Sequence, residues 1–436
     1  MSERVLPIAD PPLPSSVGID PAHQIDFLSR HYLAEPDGFV RDGGSKVKLV
    51  IGGMGAGKTH FLVALEEIAQ GGGFLTARVD AGHTQLGGFD LVYQAAVREV
   101  DFMGLARRYC AQLVEELGYG HVHLDERLTL TQWAILSGHD AGQMRVRVSD
   151  ALHQRLCERS TLDYGYGLGL LRLCEEAAWG TDEPSESGLL EHWLRGGRVS
   201  VRDCNRMRLG TSADRFRSRL WLRSLLHFIR MVGFAGLVVL VDGMEAVVDV
   251  RPRAKSAPLG TNESRETWAS FVQSVPDGPR YTKQRRDDLY ETVRQLIDDM
   301  GLLPGFLLVL AGPPALVGAD NAKTGFRSYP ALASRMANEV ETIELNRFAD
   351  EIVLERLWAA DPEAGRTLAD LLVSAVIPEA DDRLRQRALD AARTQWAVRD
   401  VTVSAVRRSV LAVLATVRQE QVRTDSMEPE VWSGVE

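Results

Sequence analysis

Continuous apolar runs alternate along this chain with stretches of helical periodicity. Val47-Lys48-Leu49-Val50-Ile51, Leu237-Val238-Val239-Leu240-Val241 and Phe306 to Ala311 (FLLVLA) are rich in aliphatic residues and carry little polar alternation. Runs of that length suit strands buried on both faces of a parallel sheet. Phe74 to Asp80 (FLTARVD) alternates and predicts a further strand. Elsewhere apolar residues recur at helical spacing, as in Leu91, Ala95, Val97, Val100 and Leu105. From Phe89 to about Arg230 the pattern is mostly helical, broken at Gly118–Gly120, Gly165–Gly169, Gly180–Gly188 and Gly196–Gly197. Ile25 to Tyr32 predicts a short helix, His60 to Gln70 a longer one and Asp287 to Met300 another. The pattern is helical again from about Leu345. Strands separated by helical segments imply an α/β fold with a parallel sheet and right-handed crossovers.

Composition divides the chain further. Residues 1–20 are rich in Pro, Ser and Asp and read as a flexible arm. Residues 21–344 form the expected α/β core, with a large helical insertion at about 89–230. Residues 345–424 read as a C-terminal helical lid and 425–436 as a disordered tail. Residues 251–285, polar and containing Pro and Gly, read as a surface loop.

The chemistry concentrates in Gly52-Gly53-Met54-Gly55-Ala56-Gly57-Lys58-Thr59, which fits the phosphate-binding pattern G-x-x-x-x-G-K-[ST]. Glycines let successive backbone N–H groups turn inward around a β-phosphate. Lys58 can reach the β- and γ-phosphates, and the Thr59 hydroxyl can ligate Mg²⁺. The predicted strand runs into this loop and the predicted helix, opening at His60, leaves it, so the helix N-terminus faces the phosphates. Gly52 to His60 are therefore the candidate ATP-binding residues. The reading is an α/β P-loop NTPase with ATP and Mg²⁺ as cofactors.

Asp242, ending LVVLV, stands where a Mg²⁺-holding acid belongs. In many P-loop ATPases of the additional-strand class, a glutamate that polarises the attacking water follows that Asp directly. Here the position is Gly243, and Glu245 lies two residues further on. Two readings stay open: Glu245 replaces the missing acid if the chain bends after the strand, or it is a solvated carboxylate. A polar residue after FLLVLA would sense the γ-phosphate, but Ala311-Gly312-Pro313-Pro314 offers no such side chain. Arg335 is a candidate arginine finger acting on a neighbouring subunit of a homo-oligomer, or a plain surface arginine. Arg407 and Arg408 begin a late helix, from which one of them could reach the nucleotide; for either alone the solvated face of a helix is the plainer reading. The candidate catalytic set is Lys58, Glu245 and Arg335, with Thr59 and Asp242 as metal ligands.

Charge is uneven. The 436 residues carry a formal net charge of −10, which argues against a protein that is basic all over. Yet arginines 195, 198, 202, 206, 208, 215, 217, 219, 223 and 230 crowd one stretch, offset only by Asp203 and Asp214. Such a stretch neutralises nucleic-acid phosphates, pairs with an acidic protein surface, or forms the wet face of helices. No apolar run is long enough to span a membrane, and the first residues lack an apolar signal core, so a cytoplasmic protein is expected. Cys110, Cys157, Cys174 and Cys204 are scattered without metal-ligand spacing and read as free thiols.

Beyond the P-loop, several segments resemble the ATP-binding proteins of bacterial BREX-type phage-defence systems (BrxD and its relatives). They are GSKVKLVIGGMGAGKTHFL, GGFDLVYQAAVREV, EHWLRGG, FAGLVVLVDGMEAV, DDLYETVRQLIDDM, PGFLLVLAGPPAL and YPALASRM. The resemblance implies an AAA+-like ATPase, distantly similar to origin-recognition and helicase-loading ATPases, with a helical insertion and a C-terminal lid. DNA and a helicase or other defence-system proteins are the candidate partners. The resemblance also implies Asp-Glu where this chain has Asp242-Gly243 and Gly-Thr-Pro where it has Gly312-Pro313-Pro314. Both departures fall on hydrolysis residues. Two functions compete: an ATPase that couples the nucleotide to assembly in a defence or DNA-processing complex, and a silent nucleotide-binding scaffold or switch.

Overall fold

Each continuous run becomes a strand in the computed structural model, which describes residues 20–124, 128–158, 161–180, 187–248, 281–318, 323–336, 345–376, 382–396, 410, 412 and 413. The strands are β1 (Ser45–Ile51), β2 (Leu75–Asp80), β3 (Leu237–Asp242), β4 (Phe306–Gly312) and β5 (Glu351–Val353). They form one parallel sheet in the order β2-β3-β4-β1-β5. One additional strand, β4, thus separates β1, which enters the glycine loop, from β3, which ends in Asp242.

The sheet is buried on both faces, as its apolar runs require. Val239, Val241, Leu308 and Leu310 face a core shared with the helical segment after β2. Their neighbours Val238, Leu240, Leu307 and Val309 face a second core. That second layer holds α1 (Gln24–Leu28) and α2 (Lys58–Gly71), with the later helices α15 (Leu354–Ala360), α16 (Pro362–Val376) and α17 (Asp382–Trp396). Strand side chains alternate between faces, so consecutive aliphatic residues supply both cores.

Between β2 and β3 runs the helical segment: α3 (Phe89–Ala96), α4 (Phe102–Glu116), α5 (Leu130–Leu136), α6 (Ala141–Leu156), α7 (Tyr164–Trp179), α8 (Ser187–Leu194), α9 (Val201–Arg206) and α10 (Arg217–Met231). Buried aromatic rings hold it together. Tyr93 donates to Leu194 O at 2.6 Å, and its hydroxyl lies 3.0 Å from that of Tyr166. The Trp193 and Trp221 ring centroids are 4.4 Å apart. After β3 come α11 (Glu245–Val248), α12 (Lys283–Asp298), α13 (Pro314–Val317) and α14 (Pro330–Met336).

Two elements differ from the sequence reading. The segment from 345 is not helical throughout: β5 pairs with β1, Ile352 opposite Val50. Lys48 explains how so short a strand is held. Its side chain is fully buried, and its ammonium donates to Phe348 O and Ala349 O, both at 2.8 Å, pinning the approach to β5. The helix expected over Ile25 to Tyr32 is divided: α1 ends at Leu28 and a wider π turn continues through Ser29–Leu33. Residues 1–19, most of 251–285, Arg407, Arg408 and 425–436 lie outside the described residues.

Candidate nucleotide site

The glycine loop adopts the conformation its sequence permits. Gly55 and Gly57 have φ of 77° and 101°, the left-handed region that favours glycine. α2 then starts at Lys58, with Phe61 N donating to Gly57 O at 2.9 Å. Lys58 is folded back into the loop it serves. Its ammonium donates to Gly52 O at 2.9 Å and Gly53 O at 3.0 Å, and lies 2.9 Å from Glu245 Oε1.

Across the loop, Thr59 Oγ1 donates to Asp242 Oδ2 at 2.6 Å. These two hard oxygens, one from the loop and one from the end of β3, suit Mg²⁺. Thr59 and Asp242 would hold the ion, which when bound would neutralise charge on the phosphates. Gly243 follows with φ of 71° and turns the chain, so that Glu245 comes back over Lys58. The chain does bend there, and Glu245 pairs with Lys58 while half exposed.

A second acid was not singled out in the sequence. Asp80 ends β2 and is the register partner of Asp242. Its Oδ1 accepts from Gly82 N and its Oδ2 lies against His83 Nδ1, each at 2.7 Å. The signal was there, because FLTARVD and LVVLVD both end in Asp. Only the sheet order makes them neighbours.

Most of these groups line a cavity of about 540 Å³. Its polar end holds Lys58, Thr59, Asp80, Asp242 and Glu245; Pro21, Ile25, Leu354, Trp358 and Leu368 give the remainder an apolar wall. His60 also lines it. Its Nε2 is buried without a hydrogen-bond partner, and burial lowers the pKa of the ring below its usual value. An apolar wall beside oriented phosphate donors is a fitting receptacle for a purine nucleotide.

The chain matches the family model described as BREX system ATP-binding protein BrxC/D over residues 31–259 and 280–421. It belongs to that family. No curated protein and no solved structure matches it. It is therefore an ATP-binding protein of a BREX phage-defence system, as its segments resemble. No helix among the described residues is long and apolar enough to cross a membrane.

In this BREX protein α15 grips the glycine loop at two points. Gly53 N donates to Glu355 Oε1 at 2.6 Å, and Trp358 Nε1 donates to Ala56 O at 3.1 Å. Met54, between them, is 94% exposed. At the end of β4, Gly312 O accepts from Gly52 N at 3.1 Å. A Cβ on Gly312 would overlap Leu316 and approach Met244. Close packing, rather than phosphate sensing, accounts for that glycine.

Arg335 sits elsewhere. On α14 it pairs with Asp298 of α12 at 2.9 Å and does not line the cavity. Asp298 also pairs with Arg294, which holds the neighbouring Glu291 carboxyl down to about 2. The arginine-rich stretch contains two distinct kinds of residue among others. Arg195, Arg219 and Arg230 tie internal groups, as in the two-pronged pair of Arg219 with Asp299. Arg198, Arg202, Arg206 and Arg208 are exposed around α9. A second cavity of about 610 Å³ lies on α4 among Arg107, Arg108, His121 and His123.

Proposed function

We propose that this BREX protein is an AAA+-like ATPase that binds ATP·Mg²⁺ and uses the bound state, with slow hydrolysis, to assemble with its defence partners. The observation that carries the reading is the convergence of Lys58, Thr59 and Asp242 at one end of an apolar-walled cavity. Placing β4 between the loop strand and the Asp242 strand supports the additional-strand class within which AAA+ proteins fall. Lys58 takes the β- and γ-phosphates, and the N-terminus of α2 adds its dipole. Position 243 lacks an acid, yet Asp80 and Glu245 both reach the cavity, so hydrolysis has carboxylates to draw on.

The exposed arginines around α9 favour DNA as one assembly surface, with a helicase or further copies of the chain as others. In an oligomer Arg335 would serve a neighbour only after leaving Asp298. The test is nucleotide titration with purified protein beside Lys58→Ala and Asp242→Ala, followed by turnover with and without duplex DNA. Retained ATP affinity in Lys58→Ala would refute the site.

A silent switch is the second reading, and two observations favour it. No polar side chain follows β4, and Lys58 already has an acidic partner in Glu245. Tight binding without turnover, with or without DNA, would establish it.

A further inference from the structure

Position 243 has a left-handed φ of 71°, and another carboxylate also occupies the space its side chain would take. A Cβ built on Gly243 would meet Asp80 Oδ1 well inside 3.0 Å, closer than real Cβ atoms come to anything. That is where the side chain of the usual water-polarising glutamate would begin. Asp80 reaches it from the neighbouring strand, where it is the register partner of Asp242.

We propose that Asp80 is the catalytic carboxylate that orients the attacking water, displaced from position 243 onto the end of β2; this rests on the hydrolysis reading above. Three features support it over Glu245. Glu245 is bound to the Lys58 ammonium, which the phosphates need, so it leaves its present place when ATP arrives. Asp80 has no part in that pair. Its carboxylate is fixed by Gly82 N and His83 Nδ1, a base held by an orienting partner. It is also half exposed to the cavity, open to a water.

The step balances within the residues present. The water oxygen bonds to the γ-phosphorus while the bond from that phosphorus to the β–γ bridging oxygen breaks. The water proton passes to Asp80, ADP carries away the bridging oxygen, and the proton is later released to solvent with phosphate.

The experiment compares wild type, Asp80→Asn and Glu245→Gln for steady-state turnover and for ATP affinity in Mg²⁺. Asn keeps an oxygen to accept from Gly82 N, so the turn after β2 persists; the unfolding midpoint checks this. Asp80→Asn is expected to lower turnover at least about a hundredfold with affinity unchanged, a larger loss than Glu245→Gln produces. Three results would overturn the proposal. In the first, Asp80→Asn turns over normally. In the second, it loses Mg²⁺-dependent affinity, making Asp80 a metal holder. In the third, wild type binds ATP with no turnover, which leaves the binding site standing and removes the hydrolysis. Asp80→Glu is a second probe, expected to recover part of the rate that Asp80→Asn loses.

Discussion

The Lys58 ammonium lies 2.9 Å from Glu245 Oε1, while also donating to two carbonyls of its own loop. Lys58 is 8% exposed and Glu245 50%, so the pair spans the edge of the cavity. An acid there competes with phosphate for the same cation. Half-exposed ion pairs contribute little, about 0.2–1 kcal/mol. Glu245→Gln should therefore tighten ATP binding by about twofold to fivefold, read directly by titration. Weaker binding would mean that Glu245 helps to hold the nucleotide.

The grip of α15 on the glycine loop predicts a stability cost. Trp358→Phe removes the N–H that meets Ala56 O at 3.1 Å, together with part of the buried indole ring. A buried carbonyl left without its donor costs about 1–3 kcal/mol, and the lost ring atoms add to that. Urea denaturation should show a loss of at least that size, and ATP affinity should fall as the loop loosens. Met54→Ala, at the exposed tip of the same loop, should change stability by less than about 0.5 kcal/mol.

Two histidines predict how stability varies with pH. Burial lowers the pKa of His60, and burial together with Arg223 and Arg230 lowers that of His227. Unfolded, both would titrate near the ordinary value of 6.5. Between the lowered folded values and 6.5 the unfolded chain binds more protons, so folding weakens as pH falls. Stability from these groups is fully present above that window and is lost on acidification through it. The thermal midpoint should drop from about pH 7.5 to about pH 5.5, and His60→Gln with His227→Gln should flatten the slope. A midpoint that rises on acidification would contradict the assignment.

Much of the site was legible because its signals are local. The loop from Gly52 to Thr59 announces itself, and LVVLVD places Asp242 by its buried run alone. β5 was not legible, because three residues carry no periodicity and the partner that fixes them is Lys48, hundreds of positions away. Asp80 was hidden for a related reason. An acid ending an alternating strand is ordinary until the sheet order sets β2 beside β3. Arg335 shows the opposite limit: its spacing after β4 fits a finger, but the side chain that claims it within the chain, Asp298, belongs to a helix whose docking cannot be read from the pattern.

The glycine at 243 can be tested as a consequence of Asp80 rather than as a turn requirement alone. Its φ of 71° by itself makes Gly243→Ala cost about 1–2 kcal/mol. The overlap with Asp80 Oδ1 adds a second cost, which the flexible carboxylate can relieve only by giving up its contacts with Gly82 and His83. Those two costs separate in a double-mutant cycle. In an Asp80→Ala background the carboxylate is gone, so Gly243→Ala should be milder there than in wild type, leaving the backbone strain and the tight approach to Gly82 N. The coupling energy should be at least about 0.5 kcal/mol, measured by chemical denaturation of the four proteins. Strict additivity would mean that the backbone alone demands glycine, and that the nearness of Asp80 to position 243 has no energetic weight.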